Sequence, residues 1–509
     1  MAKKSDDSTC VLTLPLIIEK WQADKIDRRL EAGRQMYNAL VGVMLKRYRK
    51  LQHTPEYQEI MQGIKDNSKN NKELWKRRDG LLKEWGFVLR AKAGLPSFES
   101  EIDPMRRHFT CIQSHVGHRI AASVCEAFKE LLEGKGRKVH FKRKGELNSL
   151  EGKNNETNIR YADGVVQFNG LQLKVKLDSK NIYESEMLQK RVKYCRVLRQ
   201  RIRGKNKYYI QLVLEGTAAV KRKKSDGSFS HMKGNGRVGL DIGTQTLAIC
   251  SDKKVALIEL ADRVGNIEAE KRRLQRKIDR SRRSCNPENF AEDGQIRRGI
   301  KLEWNPSQHY KKAVDELREL QRKQAAIRKY QHYLLVNEIV SLGTEVYVED
   351  MDFAALQRRA KKTEKNTKGR FKRKKRFGKS LANKAPSMLL TMLDNRLKAI
   401  TGHAHNKVDK WEFKASQYDH LSKTYNKKSL SKRIHCLENG DVLQRDLYSA
   451  FLIMNASEDL KSPDSERCER TYTNFKVMHD NYIEMLAKSN IHTLSSMGIN
   501  QITNGANVQ

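Results

Sequence analysis

The hydrophobic period switches from helical to strand-like near residue 135, and that switch constrains the fold more than any other feature. Between residues 20 and 134 apolar side chains recur every three or four positions, the spacing of amphipathic helices. Ile26, Leu30, Gly33, Tyr37, Leu40, Met44 and Tyr48 mark one stripe, over Gln22–Gln52. A more polar helical stretch runs from Pro55 to Trp85 and is interrupted near Asn67–Asn71. A third helix is predicted from Asp103-Pro104, an N-cap followed by a first-turn proline, to Gly134; Phe109, Ile112, Val116, Ile120, Val124 and Phe128 lie on its stripe. From Lys138 to Glu215 short alternating runs take over: Val139–Phe141, Asn158–Tyr161, Val165–Phe168, Leu171–Val175, Val192–Leu198 and Tyr208–Leu214. Ala162-Asp163-Gly164 and Asn169-Gly170 are hairpin signals between them. With a strand-like run at Cys10–Glu19, these segments predict a small β-barrel into which the helical unit is inserted.

The second half reads as mixed α/β. A Lys/Gly/Ser-rich linker, Lys221–Arg237, precedes two predicted strands, Val238–Ser251 and Val255–Leu260. Basic helices follow over Asn266–Arg283 and Pro306–Leu342, then a strand at Glu345–Glu349, a helix at Pro386–Ile400, a strand at Val408–Phe413 and a helix from Asp446. After Ser457 the chain is polar, with one helical candidate at Tyr472–Ala487.

Charge narrows the partner. Lys plus Arg number 101 against 61 Asp plus Glu, a formal net charge of +40. That balance excludes an ordinary metabolic enzyme and points to a polyanion, either nucleic acid or an anionic membrane surface. No apolar run approaches the roughly 18 residues of a membrane span. The opening MAKKSDDSTC lacks the apolar core of a secretion signal. The eight cysteines form no CxxC pair, so reduced thiols in a cytoplasm are expected.

Three acids stand out by position. Asp241 is a charge within the apolar run Val238–Thr244, between Gly239 and Gly243; Glu349 ends the run Val346–Glu349; Asp446 opens the apolar helix Asp446–Ile453. Singly, each has an ordinary reading: an Asp at a helix start is an N-cap, and an acid at a strand end is solvated. Asp241 is the exception, because an unpaired carboxylate in an apolar run is costly. A strand centre, a strand end and a helix start can converge at one edge of a sheet, and carboxylates gathered there repel one another unless a divalent cation neutralises them. Hard oxygen ligands suit Mg²⁺ or Mn²⁺, and a pair of such ions about 3.5–4 Å apart promotes phosphodiester hydrolysis.

The runs VGLDIGTQTLA (Val238–Ala248), VYVEDMDF (Val346–Phe353) and RDLYSAFL (Arg445–Leu452) resemble the three RuvC motifs of TnpB proteins. These are transposon-encoded, RNA-guided DNA endonucleases related to the compact type V CRISPR effectors. RQMYNAL (Arg34–Leu40), VHFKRK (Val139–Lys144), WNPSQHYK (Trp304–Lys311) and FGKSLANKAP (Phe377–Pro386) fit the same setting. The resemblance implies a multidomain α/β protein: an RNase H-like RuvC nuclease domain plus a wedge β-barrel with an inserted helical recognition lobe. Residues 1–19 and 135–236 would form the barrel, and 20–134 the recognition domain. Residues 237–414 and 441–457 would form the nuclease, 415–440 a degenerate zinc-ribbon-like insert that binds target nucleic acid, and 458–509 a C-terminal tail. It further implies that Asp241, Glu349 and Asp446 are catalytic ligands of two Mg²⁺ or Mn²⁺ ions. Guide RNA and target double-stranded DNA would be the partners, with no membrane, and a monomer in the prokaryotic cytoplasm, associated with the nucleoid on DNA. The acids do not distinguish a transposon-associated guide from a CRISPR-associated one. The alternatives are a guided DNA-binding repressor that does not cut, and a resolvase- or integrase-like nuclease acting without RNA.

The basic segment Arg358–Lys379 holds 13 Lys/Arg against one acid, Glu364. Such a run is either a solvated loop or a nucleic-acid channel. Phe371 and Phe377 among the charges favour the channel, through Lys361, Lys362, Arg370, Lys372, Arg373, Lys374, Lys375, Arg376 and Lys379. Arg272, Arg273 and Arg276 on the first basic helix are candidates too, against the reading that they only solubilise it.

TnpB relatives commonly carry a zinc ribbon with two CxxC pairs before the third motif. Here only Cys436 remains of four cysteines; Asp419, Ser422 and Asn439 take the other places. Asp419, His420, His435 and Cys436 are the alternative ligand set, but structural zinc prefers thiolates, and a hairpin packed by Tyr418, Tyr425 and Leu430 is expected instead. Elemental analysis after dialysis is therefore expected to find no zinc. Near-stoichiometric zinc that disappears in Cys436→Ala would show that the Asp/His/Cys set works.

Overall fold

Strand β1 (Thr9–Ile17) buries alternate residues, Cys10, Leu12 and Leu14, and exposes those between them. The computed structural model to which it belongs describes residues 8–66, 71–92, 94–223, 225–360, 362–366, 369–372, 377–429, 431–488, 494–499 and 501–502. The chain is a mixed α/β protein of two compact units, Met1–Ala219 and Val220–Gln509. Among the described residues no helix is long and apolar enough to cross a membrane.

In the first unit five helices lie between β1 and the next strand: α1 (Lys20–Gln52), α2 (Pro55–Asp66), α3 (Lys72–Glu84), α4 (Phe98–Arg107) and α5 (Ser114–Leu132). The single helix expected from Asp103 to Gly134 is two helices. Ser97 and Ser100 cap α4 reciprocally, the Ser100 N–H donating to Ser97 Oγ at 3.1 Å. That cap starts the helix ahead of Asp103-Pro104, and Pro104 falls inside it. The remaining strands are β2 (Ser149–Glu151), β3 (Ile159–Ala162), β4 (Val165–Phe168), β5 (Leu171–Val175), then, after α6 (Ile182–Leu188), β6 (Val192–Ile202) and β7 (Lys205–Glu215). They join β1 in one sheet of order β2-β6-β7-β1-β5-β4-β3. Asn169 and Gly170, both at positive φ, make the tight turn between β4 and β5, as Asp163 and Gly164 do between β3 and β4.

The sheet is nearly closed, and side chains supply what strand pairing does not. Strand β3 runs beside β6. Asn155 fills the seam: its amide donates to the Tyr161 carbonyl at 3.0 Å, and its Oδ1 accepts from the Tyr161 N–H at 2.8 Å and the Cys195 thiol at 3.1 Å. Val139–Phe141 does not form the expected strand. Beside it, Lys142 is bonded to α1 instead: Asn38 exchanges two bonds of 2.8 Å with the Lys142 backbone, and Arg34 donates to the same carbonyl at 3.0 Å. The segments RQMYNAL and VHFKRK thus meet through backbone capture by side chains. Buried Arg29 ties α1 to the β4–β5 turn, donating to the Phe168 and Asn169 carbonyls at 2.6 Å.

The second unit is built on β8 (Arg237–Ile242), β9 (Thr246–Ser251) and β10 (Val255–Glu259), followed by α7 (Gly265–Ser284) and α8 (Gln308–Leu342). The run expected as one strand over Val238–Ser251 is a hairpin, closed where the Gly243 N–H donates to the Thr246 carbonyl at 2.9 Å. Then come β11 (Glu345–Glu349), α9 (Phe353–Leu356), α10 (Gly378–Lys384), α11 (Pro386–Thr401) and β12 (Asn406–Val408). Two short hairpins, β13 (Tyr418–Asp419) with β14 (Thr424–Tyr425) and β15 (Ile434–Cys436) with β16 (Val442–Gln444), lead to α12 (Arg445–Met454) and α13 (Ser465–Lys488). The main sheet has the order β10-β9-β8-β11-β12: β8, β9 and β10 are antiparallel, while β11 runs parallel to β8 and to β12. Alternation sorts its two faces. Val238, Leu240, Ile242, Val346 and Val348 pack with Leu335, Ile339, Leu389 and Leu393 of α8 and α11. Ala248, Cys250, Leu257 and Tyr347 pack with Leu447, Phe451, Phe475 and Ile483 of α12 and α13. The helix α13 begins seven residues before the Tyr472–Ala487 stretch read from sequence and is docked on the sheet: Tyr482 donates to the Leu257 carbonyl at 2.9 Å.

The Asn155 seam makes a stability prediction. Asn155→Ala leaves the Tyr161 backbone groups without these partners, and losing such bonds costs about 1–3 kcal/mol. Chemical denaturation is expected to show a loss of that size. An unchanged midpoint would mean that the seam does not depend on Asn155.

Candidate functional site

Strand alternation, not proximity in sequence, unites the acids. In the parallel ladder Val346 lies opposite Val238 and Val348 opposite Leu240. The next residues along, Glu349 and Asp241, are therefore neighbours on adjacent strands. Both lie on the α12 face, because Val348 and Leu240 point to the other. Helix α12 crosses β8 close to the backbone at Gly239; a Cβ there would run into the Ala450 carbonyl and the Met454 backbone nitrogen. That approach brings the first turn of α12, and Asp446 with it, toward Asp241.

The electrostatics follow. Asp241 is half-buried, and its carboxyl is pushed well above the usual carboxylate range, first by burial and then by the charges of Asp446 and Glu349. Arg445 and Arg433 oppose that shift. Burial also raises Glu349, with Lys410 opposing it. Asp446 lies at the positive end of the α12 dipole and is engaged by cations: Arg445 Nε and Nη2 donate to its Oδ1 at 3.1 and 3.0 Å, and Arg433 Nη1 lies 3.6 Å from Oδ2. Thus Asp241 and Glu349 are brought together, whereas the Asp446 carboxylate is turned to two guanidinium groups. Among the described residues no three His, Cys, Asp or Glu side chains converge closely enough to hold an ion as placed.

The ground beneath Asp446 is a polar hub that has no mark in the sequence. Gln444 caps α12, its Oε1 accepting from the Leu447 N–H at 2.6 Å, and its amide donates to the Met497 carbonyl at 3.0 Å. Its own N–H donates to buried His479 Nε2 at 2.9 Å, so His479 Nδ1 carries the proton toward Asp480 Oδ1, also 2.9 Å away. Arg445, beside Asp446 in the quoted motif, is the one member of this surround with a sequence signal. Gln444 directly precedes that motif, whereas Arg433, Lys410 and His479 arrive from separate segments.

The ribbon-like insert is packed on α12. The Tyr418 and Tyr425 rings lie 4.9 Å apart, as expected; Leu430 lies outside the described residues. The principal anchors are two buried histidines. The His420 backbone N–H donates to the Tyr448 hydroxyl at 3.1 Å, and the His435 ring lies 4.5 Å from the Tyr448 ring. Burial, aided by Lys428, pushes His435 down to about 4, so it packs as a neutral ring. Cys436 is exposed.

The predicted nucleic-acid contacts fall in three groups. Lys361, Arg373, Lys374, Lys375 and Arg376 lie outside the described residues. Lys362, Arg370, Lys372 and Lys379 are exposed; Lys372 pairs with Glu364 at 3.2 Å, and Lys379 with Glu268 of α7 at 3.5 Å. Arg272, Arg273 and Arg276 are exposed on α7. Within FGKSLANKAP, Lys384 is buried and structural, its ammonium 2.5 Å from Glu259 and its carbonyl 2.9 Å from His332 Nε2.

No known family profile matches the chain, and no curated protein matches it. Among solved structures it is similar to a Cas12f1–sgRNA–target DNA complex, with 11% identity and a TM-score of 0.39, over 89% of this chain and 99% of that chain. It is also similar to a CRISPR-Cas12f ternary complex, with 11% identity and a TM-score of 0.25, over 86% of this chain and 82% of that chain. At these values the likeness assigns no residue and no activity.

The raised carboxyl of Asp241 sets a pH dependence. Between the ordinary carboxyl range, about pH 4, and its raised folded value, the folded state binds more protons than the unfolded. Stability therefore falls as pH rises through that window. In a chelating buffer at pH 7, Asp241→Asn is expected to raise Tm by about 2–4 °C, the gain shrinking toward pH 4. A gain that grows as pH falls would contradict this assignment.

Proposed function

We propose that this chain is an RNA-guided DNA endonuclease that hydrolyses phosphodiesters at Asp241, Glu349 and Asp446. The observation that carries the reading is the pairing of Asp241 with Glu349 on one sheet face beneath the N-terminus of α12, with burial and then like charge raising the proton affinity of Asp241. Two further features support it. The strand order of the second unit, three antiparallel strands then two parallel ones with helices on both faces, suits an RNase H-like, RuvC-type domain. The nearly closed sheet of the first unit, with helices between its first two strands, suits a wedge barrel with an inserted recognition lobe.

The donor chemistry fits a hard divalent cation: three carboxylates, two of them on adjacent strands. Asp241 and Glu349 would hold it from the sheet, and Asp446 from the helix once its carboxylate leaves Arg445 and Arg433. Such ions, when bound, promote attack by water and stabilise the leaving oxygen. The two arginines would then turn their charge toward substrate phosphate. The +40 charge supports a large polyanionic partner, and a guide RNA paired to one strand of target DNA is the partner that the three motifs imply.

A guided DNA-binding protein that does not cut is the second reading, favoured by the engagement of Asp446 with Arg445 and Arg433. One set of experiments separates the readings. Protein purified with its RNA is expected to cut DNA complementary to a variable stretch of that RNA when Mg²⁺ is present. Replacing the stretch should move the cut. Asp241→Ala and chelation should abolish cutting while guide-directed binding persists. Guide-directed binding without cutting by the wild type would establish the second reading. Equal cutting of the same site by RNA-free protein would replace both with an unguided nuclease.

A further inference from the structure

We propose that Trp411 is a base-stacking platform for a single-stranded DNA segment at the edge of the carboxylate site; this rests on the reading of that site as a phosphodiesterase. The position comes from the sheet. Strand β12 pairs in parallel with β11, Val408 lies opposite Glu349, and the Asp350 N–H donates to the Val408 carbonyl at 3.0 Å. The chain therefore leaves β12 at the edge where the carboxylates stand, and Trp411 follows three residues later.

The turn that presents it is firmly built. Asp409 Oδ1 accepts from the Trp411 and Glu412 N–H groups at 2.7 and 3.2 Å. The Asp409 N–H donates to the Leu460 carbonyl at 3.2 Å, and the Phe413 N–H to the Asp409 carbonyl at 2.9 Å. Phe413 is buried in the core, only 1% exposed. Two residues before it, the Trp411 side chain is 75% exposed, more than any other Trp, Tyr or Phe among the described residues. An indole carried in the open on this turn, beside a buried phenylalanine, is not part of the core, and its apolar surface stays in water unless a ligand covers it.

The surrounding charge identifies the ligand. The Lys410 ammonium lies 5.4 Å from the indole centroid, and the same side chain acts on the Glu349 carboxyl. Of the two acids in this turn, Asp409 accepts from the Trp411 and Glu412 N–H groups, and Glu412 is paired with Lys461 at 3.2 Å. An aromatic face beside an ammonium matches a nucleobase and its phosphate, and stacking of this kind is tolerant of base identity. Duplex bases hide their faces in the stack, so the indole takes an unpaired base. Trp411 would thus hold a displaced strand while Lys410 meets its phosphate near Glu349.

The test uses full-length protein. A single-stranded oligothymidylate carrying 5-iododeoxyuridine is irradiated with the Asp241→Asn protein in chelator, and the crosslinked peptide is identified by mass spectrometry. The crosslink is expected at Trp411 and should fall about tenfold in Trp411→Ala, returning in Trp411→Phe. Trp75→Ala, at another exposed indole, should leave the yield unchanged. In otherwise wild-type protein with Mg²⁺, Trp411→Ala should raise KM for a single-stranded substrate about tenfold, with little change in kcat. Circular dichroism should show that the variants are folded. If Asp241→Asn abolishes cutting while Trp411→Ala alters neither crosslink nor KM, the stacking proposal is wrong and the nuclease reading stands. If cutting survives Asp241→Asn, the nuclease reading fails, and the stacking proposal, which rests on it, falls with it.

Discussion

The close approach of α12 to β8 over Gly239 is the constraint on which the second unit depends. Side chains ordinarily hold a helix off the strand it packs against, and the missing Cβ at Gly239 lets α12 come nearer. That approach buries the apolar side of α12 against β8 and β9 and sets the first turn of the helix beside Asp241. A carboxylate on β8 then faces one at a helix N-terminus, with a third on the next strand. Stability and electrostatic stress thus share one contact. The packing that holds the sheet's second face together is also what raises the proton affinity of Asp241.

The protein answers that stress with cations rather than with distance. Arg445 and Arg433 turn to Asp446, and Lys410 faces Glu349. These groups neutralise part of the charge without leaving the carboxylates buried alone, which would be costly. The arginines come from the foot of the ribbon-like insert and from the helix itself, so the insert takes part in the electrostatics of the acids. Its two buried histidines fasten it to Tyr448 of the same helix.

The first unit solves a different problem by a related device. Its sheet does not close by strand pairing alone, so side chains supply the missing backbone partners. Asn155 does this at the seam, Arg34 and Asn38 do it for Lys142, and Arg29 does it at the β4–β5 turn. Each spares buried backbone groups the cost of lacking a partner. Polar residues of α1 that look like surface residues in sequence are therefore structural.

By itself the sequence determined the local elements and singled out the three acids by position. The period of α1, the two hairpin turns and the alternation of β4 and β5 are local, because propensity and patterning act within a few residues. The position of Asp241 in an apolar run is local for the same reason. What the sequence did not hold was whatever depends on partners far along the chain. The third predicted helix began early because the Ser97–Ser100 cap overrode the Asp103-Pro104 signal, and it broke between Arg107 and Ser114. Val139–Phe141 stayed irregular beside a backbone segment bonded to α1. Tertiary structure alone placed Glu349 beside Asp241, brought Arg433 to Asp446 and left Trp411 in the open. Strand register and helix approach are set by side chains more than a hundred residues apart, and no local pattern encodes the distance between them.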